Sequence, residues 1–383
     1  MKRAMPALLA LALVAPLGVA ACEEKKPTDT AHDDAGAGAD KYATADPKLA
    51  RALQAAASAS AAADNGPPPT GIFAPGAADA RHPRHAPTKV DVVSDGADPK
   101  VSLATTAGAP GDAARTASFG LAVLEIAQQM GQRVALPTID FSLMLGPPPK
   151  DDPNPGQLVA TLKIVTPAKE QMAQLPSGMD REIATLQGSE IRVALTPDGR
   201  ESDVSLSLGK SSKPELDRLV QNAAEALVFA IVPLPDKPVG VGAQWIAETR
   251  MPLGGVDVIA YRAYRVKSID GDRLHLTLDV KAYAADKGAQ IAGVPAGATF
   301  EQFDTLAQGE LELVRGEMVA RKFDLQQREI MMFAPAGGAD KQPGQPPGAG
   351  MMTAQVVSQA TLVRGDDLKQ ALKTGGKGHA EVH

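Results

Sequence analysis

The chain has 383 residues with 39 basic and 45 acidic side chains, a net charge of −6 and no basic stripe, which argues against nucleic-acid binding. Its 36 glycines and 31 prolines fall short of a collagen-like or wholly disordered composition but suffice for long unstructured segments. A single cysteine excludes an intrachain disulfide and a thiolate-cluster metal site.

In chain order, Lys2 and Arg3 precede an apolar run from Ala7 to Val19. That run is shorter than the roughly 20 helical residues a bilayer needs, and it fits the apolar core of a secretory signal peptide. It ends in Val19-Ala20-Ala21-Cys22, which resembles the lipobox of bacterial lipoproteins. The resemblance implies cleavage by signal peptidase before Cys22 and acylation of its thiol and amine. Two or three acyl chains anchor stably where one binds marginally, because each buried methylene contributes about 0.8 kcal/mol. The competing reading is a chance cysteine beside an ordinary cleavage site. Glu23, rather than aspartate, follows the cysteine; the resemblance then implies the outer membrane more than the inner.

Residues 22–87 read as a lipidated cysteine and an Ala/Pro/Gly-rich disordered tether, too poor in large apolar side chains to offset chain entropy. One marginal helix fits inside it, capped at Asp46 and ended by Asn65-Gly66. As a flexible coil the tether spans about 40–50 Å. Ile72 and Phe73 are unusual there: either a short docking motif or an incidental apolar pair. His82 and His85 form a candidate metal pair, but histidines on a Pro-rich loop are ordinarily solvated.

Residues 88–366 read as a β-rich domain. Leu274, Leu276, Leu278 and Val280 alternate with His275, Thr277, Asp279 and Lys281, the pattern of a sheet with one dry face. Strands are expected near 89–94, 116–127, 138–145, 157–166, 188–195, 201–208, 243–252, 256–268, 273–283, 307–315, 317–330 and 353–364. Asp198-Gly199, Asp270-Gly271, Gly254-Gly255 and Arg315-Gly316 mark turns between them. The apolar phase slips between Ala263 and Tyr264, where a bulge is expected. A long helix is predicted over 213–231, stopped by Pro233 and Pro235, and a shorter one from Met179 to Leu186. The fold class is therefore α+β, mainly β: a curved antiparallel sheet or half-open barrel of hairpins with one long helix on its concave face. Residues 334–350 read as a disordered insertion and 367–383 as a polar tail.

The stretch Leu234-Pro235-Asp236-Lys237-Pro238-Val239-Gly240-Val241-Gly242-Ala243-Gln244-Trp245 carries a V-G-x-x-W element. It resembles a family of uncharacterised Gram-negative envelope lipoproteins known only as a domain of unknown function. The resemblance extends over residues 88–364, is sharp only at Gly242 and Trp245, and implies no established activity, cofactor or catalytic residue. Trp245 reads either as a core anchor over the long helix or as a ligand-stacking ring.

Catalytic signatures fail on context. Ser207-Leu208-Gly209-Lys210 and Lys373-Thr374-Gly375 mimic a penicillin-binding set, but the serine sits on a strand's polar face and the lysine in the tail. Val204 stands where a phosphate loop starting before Gly209-Lys210-Ser211 requires glycine. His275 lies on a wet strand face. No catalytic or metal-binding residue and no cofactor is therefore assigned. The leading expectation is a non-enzymatic binding or envelope-structural domain, partnered with membrane lipid through acylated Cys22 and with no nucleic acid. The alternatives are a carrier or sensor for a lipid or other hydrophobic ligand, with Trp245, Met331, Met332 and Phe333 as candidate contacts, and a hydrolase without a recognisable motif.

Overall fold

The computed structural model describes residue 68 and residues 70–103, 117–129, 132–154, 156–196, 199–209, 216–287, 298–334 and 351–365. The signal segment with Val19, Ala20, Ala21 and Cys22, the helix expected inside the tether, the insertion and the polar tail lie outside them.

One antiparallel sheet contains all thirteen described strands. Its first part is β1 (Lys89–Ser94), β2 (Ala117–Gln129), β3 (Gln132–Ala135), β4 (Ile139–Gly146), β5 (Gln157–Pro167), β6 (Glu190–Leu195) and β7 (Glu201–Ser207). Its second part is β8 (Gln244–Leu253), β9 (Val256–Asp270), β10 (Arg273–Ala284), β11 (Thr299–Val314), β12 (Lys322–Ala334) and β13 (Met352–Arg364). The spatial order is β1-β8-β9-β10-β11-β12-β13-β2-β4-β5-β6-β7, with β3 on β2. Two meanders thus join where the C-terminal strand β13 pairs with β2, Ala360 opposite Val123. The sheet is curved and not closed, as its sequence pattern predicts.

Among the described residues three α-helices accompany it: α1 (Ala77–Arg81), α2 (Met179–Ala184) and α3 (Asp217–Ala230). The long helix starts at Asp217; its expected cap at Ser212 lies outside the described residues. It connects the two meanders through the concave side of the sheet. Its apolar residues Val220, Ala223, Ala226, Leu227 and Phe229 are all buried, while Arg218, Gln221, Asn222 and Glu225 follow one another at helical spacing as a polar stripe. Trp245, Phe300, Phe323, Phe333 and Leu121 are buried in the same core cluster. The concavity therefore holds a packed core.

The strand pattern succeeds where one face is dry and misleads where both are. Along β9, Val258, Ala260 and Tyr264 join the inner core, while Ile259, Tyr261 and Ala263 form an outer cluster with Phe73, Ala78 and Tyr283. The phase slip at Ala263/Tyr264 is this double burial, and pairing with β8 runs through it without interruption. The register shift lies instead beside Lys267, where His275 faces Ser268 and Leu276 faces Val266. The tether boundary is also corrected. Residues 70–87 belong to the domain: Phe73 N–H donates to Ala284 O at 2.9 Å, and Ile72 bridges Ala284. The motif at Ile72-Phe73 docks onto the chain's own sheet. Two features were not anticipated from pattern: β3, and the first half of β11 from Thr299, which carries few alternating aliphatics.

The β8–β9 hairpin turns through Gly254 and Gly255, both at positive φ (61° and 83°), as a two-residue type I′ loop requires. Gly254 is doubly constrained, since a Cβ there would run into the Glu329 carboxylate.

Candidate functional site

The functional geometry follows from the sheet being unclosed. Counting antiparallel steps from β8 to β7 gives an even number, so the two strands run parallel to each other across the gap. β1 fills the lower half of that gap, with Lys89 opposite Glu248. At Thr88 the closure is complete: its N–H donates to Glu201 O at 2.9 Å and its hydroxyl lies 2.8 Å from Thr249 Oγ1. Above Thr88 the chain turns away through Pro83–Ala86, with His85 at φ 62°. What remains is an open seam between β7 and the second half of β8. It holds a cleft of about 440 Å³, floored by α3 through Gln221, Ala224, Glu225 and Val228. Val204, Leu206, Met251 and Val256 give it apolar walls. Arg84–Asp257 and His85–Asp203 ion pairs, each 3.2 Å, stand at its rim and are too exposed to contribute much to stability.

Beneath the seam lies Arg262, 0% exposed. It donates to Thr249 Oγ1 at 2.6 Å, to Glu201, and to the Val228 and Ile231 carbonyls at 3.1 and 3.2 Å. One guanidinium thus ties β7 to β8 and satisfies the C-terminal carbonyls of α3, where a cation also meets the helix dipole favourably. Outside the seam, Arg250 clamps α1 to β9 through Asp79 at 2.5 Å and Asp257 at 2.9 Å. His82 is enclosed, 3.2 Å from Glu248 and 3.1 Å from Ala86 O, which replaces its expected solvated state. Burial pushes the Glu248 carboxyl up, but His82, Arg81 and Lys89 outweigh it and hold it below the usual carboxylate range.

On the inner side α3 carries a second polar group. Arg218 donates to Glu125 at 2.8 Å and lies 3.6 Å from Glu225, whose Oε1 accepts the Gly254 N–H at 3.0 Å. Gln327 donates to Glu329. Between them a void of about 20 Å³ has room for a single water. Asn222 Oδ1 and Glu329 Oε2 are buried there without a protein hydrogen-bond partner. Burial pushes the Glu225 carboxyl up to about 8, with Arg218 opposing and Glu329 adding to the rise. Burial likewise pushes Glu329 up to about 7 against the pull of Arg218.

Both carboxyls hold protons when folded that the unfolded chain releases near pH 4.3. Their contribution to stability is complete below that pH and is lost as pH rises towards 8. Glu225→Gln, which keeps an acceptor for Gly254, should therefore gain about 1–3 kcal/mol at pH 8.5 and almost nothing at pH 4. Urea melts of both proteins at both pH values provide the check. An equal difference at the two pH values would sink the assignment.

The sequence-predicted contacts lie elsewhere. Trp245, 0% exposed, stacks on Tyr264 at 5.3 Å and donates from Nε1 to Pro233 O at 2.9 Å. Met331 and Phe333 are buried in the inner core, with Phe333 stacked on Phe300 at 5.2 Å, and Met332 is half-buried on the opposite face. None of the four lines the cleft. The His275 side chain is 44% exposed, in keeping with a wet strand face. Ser207 ends β7 as an exposed residue. No group of three or more histidine, cysteine or acidic side chains is placed to hold a metal among the described residues. The cleft itself had one sequence signal, the weak alternation of Val204 and Leu206 with exposed serines. The seam arises from which strands remain unpaired, and that is not local information.

No family model matches the chain, and no curated protein does. Among solved structures it is similar to lipovitellin, described for its lipid–protein interactions. That likeness has 12% identity and a TM-score of 0.37, over 65% of this chain and 25% of that one. A DUF1329 family protein from Desulfovibrio piger matches at 9% identity and TM-score 0.17, over 67% and 89% of the two chains. Pseudomonas aeruginosa OccK2 (OpdF) matches at 9% and 0.18, over 66% and 99%. None is close enough to transfer a function.

Proposed function

We propose that this chain is a lipid-anchored protein of the bacterial cell envelope, in the outer membrane, and that its β domain is a binding module without catalytic activity. The anchor reading rests on Val19-Ala20-Ala21-Cys22 and on the tether that follows; the family reading rests on the V-G-x-x-W element ending at Trp245. The observation that carries the binding reading is the seam. Its volume lies within the usual range for small-ligand pockets, and it combines apolar walls with a charged rim at the mouth of a half-open barrel. The apolar walls also favour a second reading, in which the seam holds the acyl chain of a lipid.

Two measurements test this. Metabolic labelling with a palmitate analogue should mark the wild type and leave Cys22→Ala unmarked; a mutant that still partitions fully into detergent removes the anchor. In the second, 8-anilino-1-naphthalenesulfonate should bind saturably with a blue-shifted emission. Ala224→Phe and Leu206→Trp, which project rings into the cleft, should each weaken it about tenfold or more with unchanged urea midpoints. Equal binding by all three proteins would place the probe elsewhere and end the seam reading.

A further inference from the structure

We infer that the occupant of the seam is an extended peptide segment of a partner protein, added as a strand between β7 and β8. This rests on the seam being the binding site and names what it binds.

The argument is one of backbone accounting. In β6, Leu195 N–H is taken by Gly156 O on the β5 side. Alternation then turns Ala194 and Arg192 towards β7, where they pair with Asp203 and Ser205. The backbone groups of Val204 and Leu206 are left facing the seam. Val204 N–H is met by the carboxylate of its own neighbour, Asp203 Oδ1, at 2.9 Å. On the other side, Val266 N–H is taken by Ala243 O. Alternation along the unbroken β8–β9 register therefore turns Arg250 and Pro252 towards the seam. Proline is tolerated in a strand where its missing N–H faces an unpaired edge, and Pro252 sits in such a place.

β1 shows what fits between these edges. It lies antiparallel to β8, and Thr88, the residue that precedes it, bonds to both walls. The slot beyond Thr88 continues the same line for the length of Thr249 to Leu253, about 17 Å of strand. An acyl chain would pack on the apolar walls but leave both backbone edges unpaired. An extended peptide satisfies walls and edges together, the arrangement of strand addition. The walls, with Val204, Leu206, Met251 and Val256, ask for small or aliphatic side chains at alternate residues. The rim, with Arg84 and His85 facing Asp203 and Asp257, asks for polar ones between them. The Asp203 carboxylate and Pro252 guard the edges against indiscriminate pairing, since an incoming strand must displace one and forgo a donor at the other.

Amide hydrogen exchange on the full chain reads this directly. In the free protein, the amides of Val204, Leu206 and Arg250 should exchange rapidly; protection matching that of Val193 would show the edges are not free and overturn the inference. A short synthetic peptide alternating valine and threonine should slow those three amides about tenfold or more at saturation. The same peptide N-methylated at alternate residues should not. Equal protection by both peptides, or none at millimolar peptide, overturns strand addition. If the naphthalenesulfonate probe binds in the cleft while the peptide does not, the strand inference falls and the seam site stands; if neither binds, both fall. Decanoate that binds without slowing the three amides would put a lipid chain in the slot and also overturn it.

Discussion

Trp245→Ala is expected to cost about 3–5 kcal/mol of folding stability, a large share of the 5–15 kcal/mol usual for a whole domain. The ring is fully enclosed, stacked on Tyr264, and its indole N–H satisfies the Pro233 carbonyl just beyond α3. Truncation would open a cavity where the chain leaves the helix and enters β8, and would orphan a buried acceptor. Trp245→Phe keeps most of the volume but still loses that hydrogen bond, so it should cost less, about 1–3 kcal/mol. As the chain's only tryptophan, Trp245 should emit at short wavelength in the native state and resist acrylamide. Urea melts of the two variants with quenching of the wild type test this together. Strong quenching and unchanged melts would mean that the ring faces solvent.

Trp245 also shows what was legible in the sequence. A lone tryptophan at the start of an alternating strand, after a proline-stopped apolar helix, points inward for simple reasons of period and burial. The hairpins were legible through their glycines, and α3 through its spacing. What stayed hidden depends on contacts distant in the chain. Residues 70–87 look like tether because their composition is poor, yet Phe73 and Ala78 cover the outer side of β9 and enclose His82 against Glu248, 166 positions away. Ile259 and Tyr261 read as an apolar phase that slips at Tyr264 because that cover makes both faces dry. The candidate site was hidden more deeply. A pattern of apolar residues says which way a side chain points, but not which strand edge goes unpaired. The edge of β7 becomes a feature only because β1 begins just after Thr88 and leaves the rest of the gap unfilled.

The second large effect should come from Arg262, a residue that strand alternation alone would place among the apolar side chains of β9. Arg262→Met should cost about 3–5 kcal/mol, because it leaves the Glu201 carboxylate buried without its partner and uncaps the last carbonyls of α3. Adding Glu201→Leu removes the stranded charge, so the double variant should be more stable than Arg262→Met alone. The coupling between the sites should exceed about 1 kcal/mol in a double-mutant cycle. Two further consequences separate this ion pair from mere packing. A stranded Glu201 relieves its penalty by taking up a proton, so the loss in Arg262→Met should be smaller at pH 4.5 than at pH 8. The guanidinium also holds β7 against β8 under the seam, through Glu201 and Thr249. Its removal should therefore speed amide exchange along β7 more than in β10, which lies beyond β9 in the sheet. A double variant as unstable as the sum of its parts, with no dependence on pH, would mean that the two side chains act independently and that the seam is held together by something else.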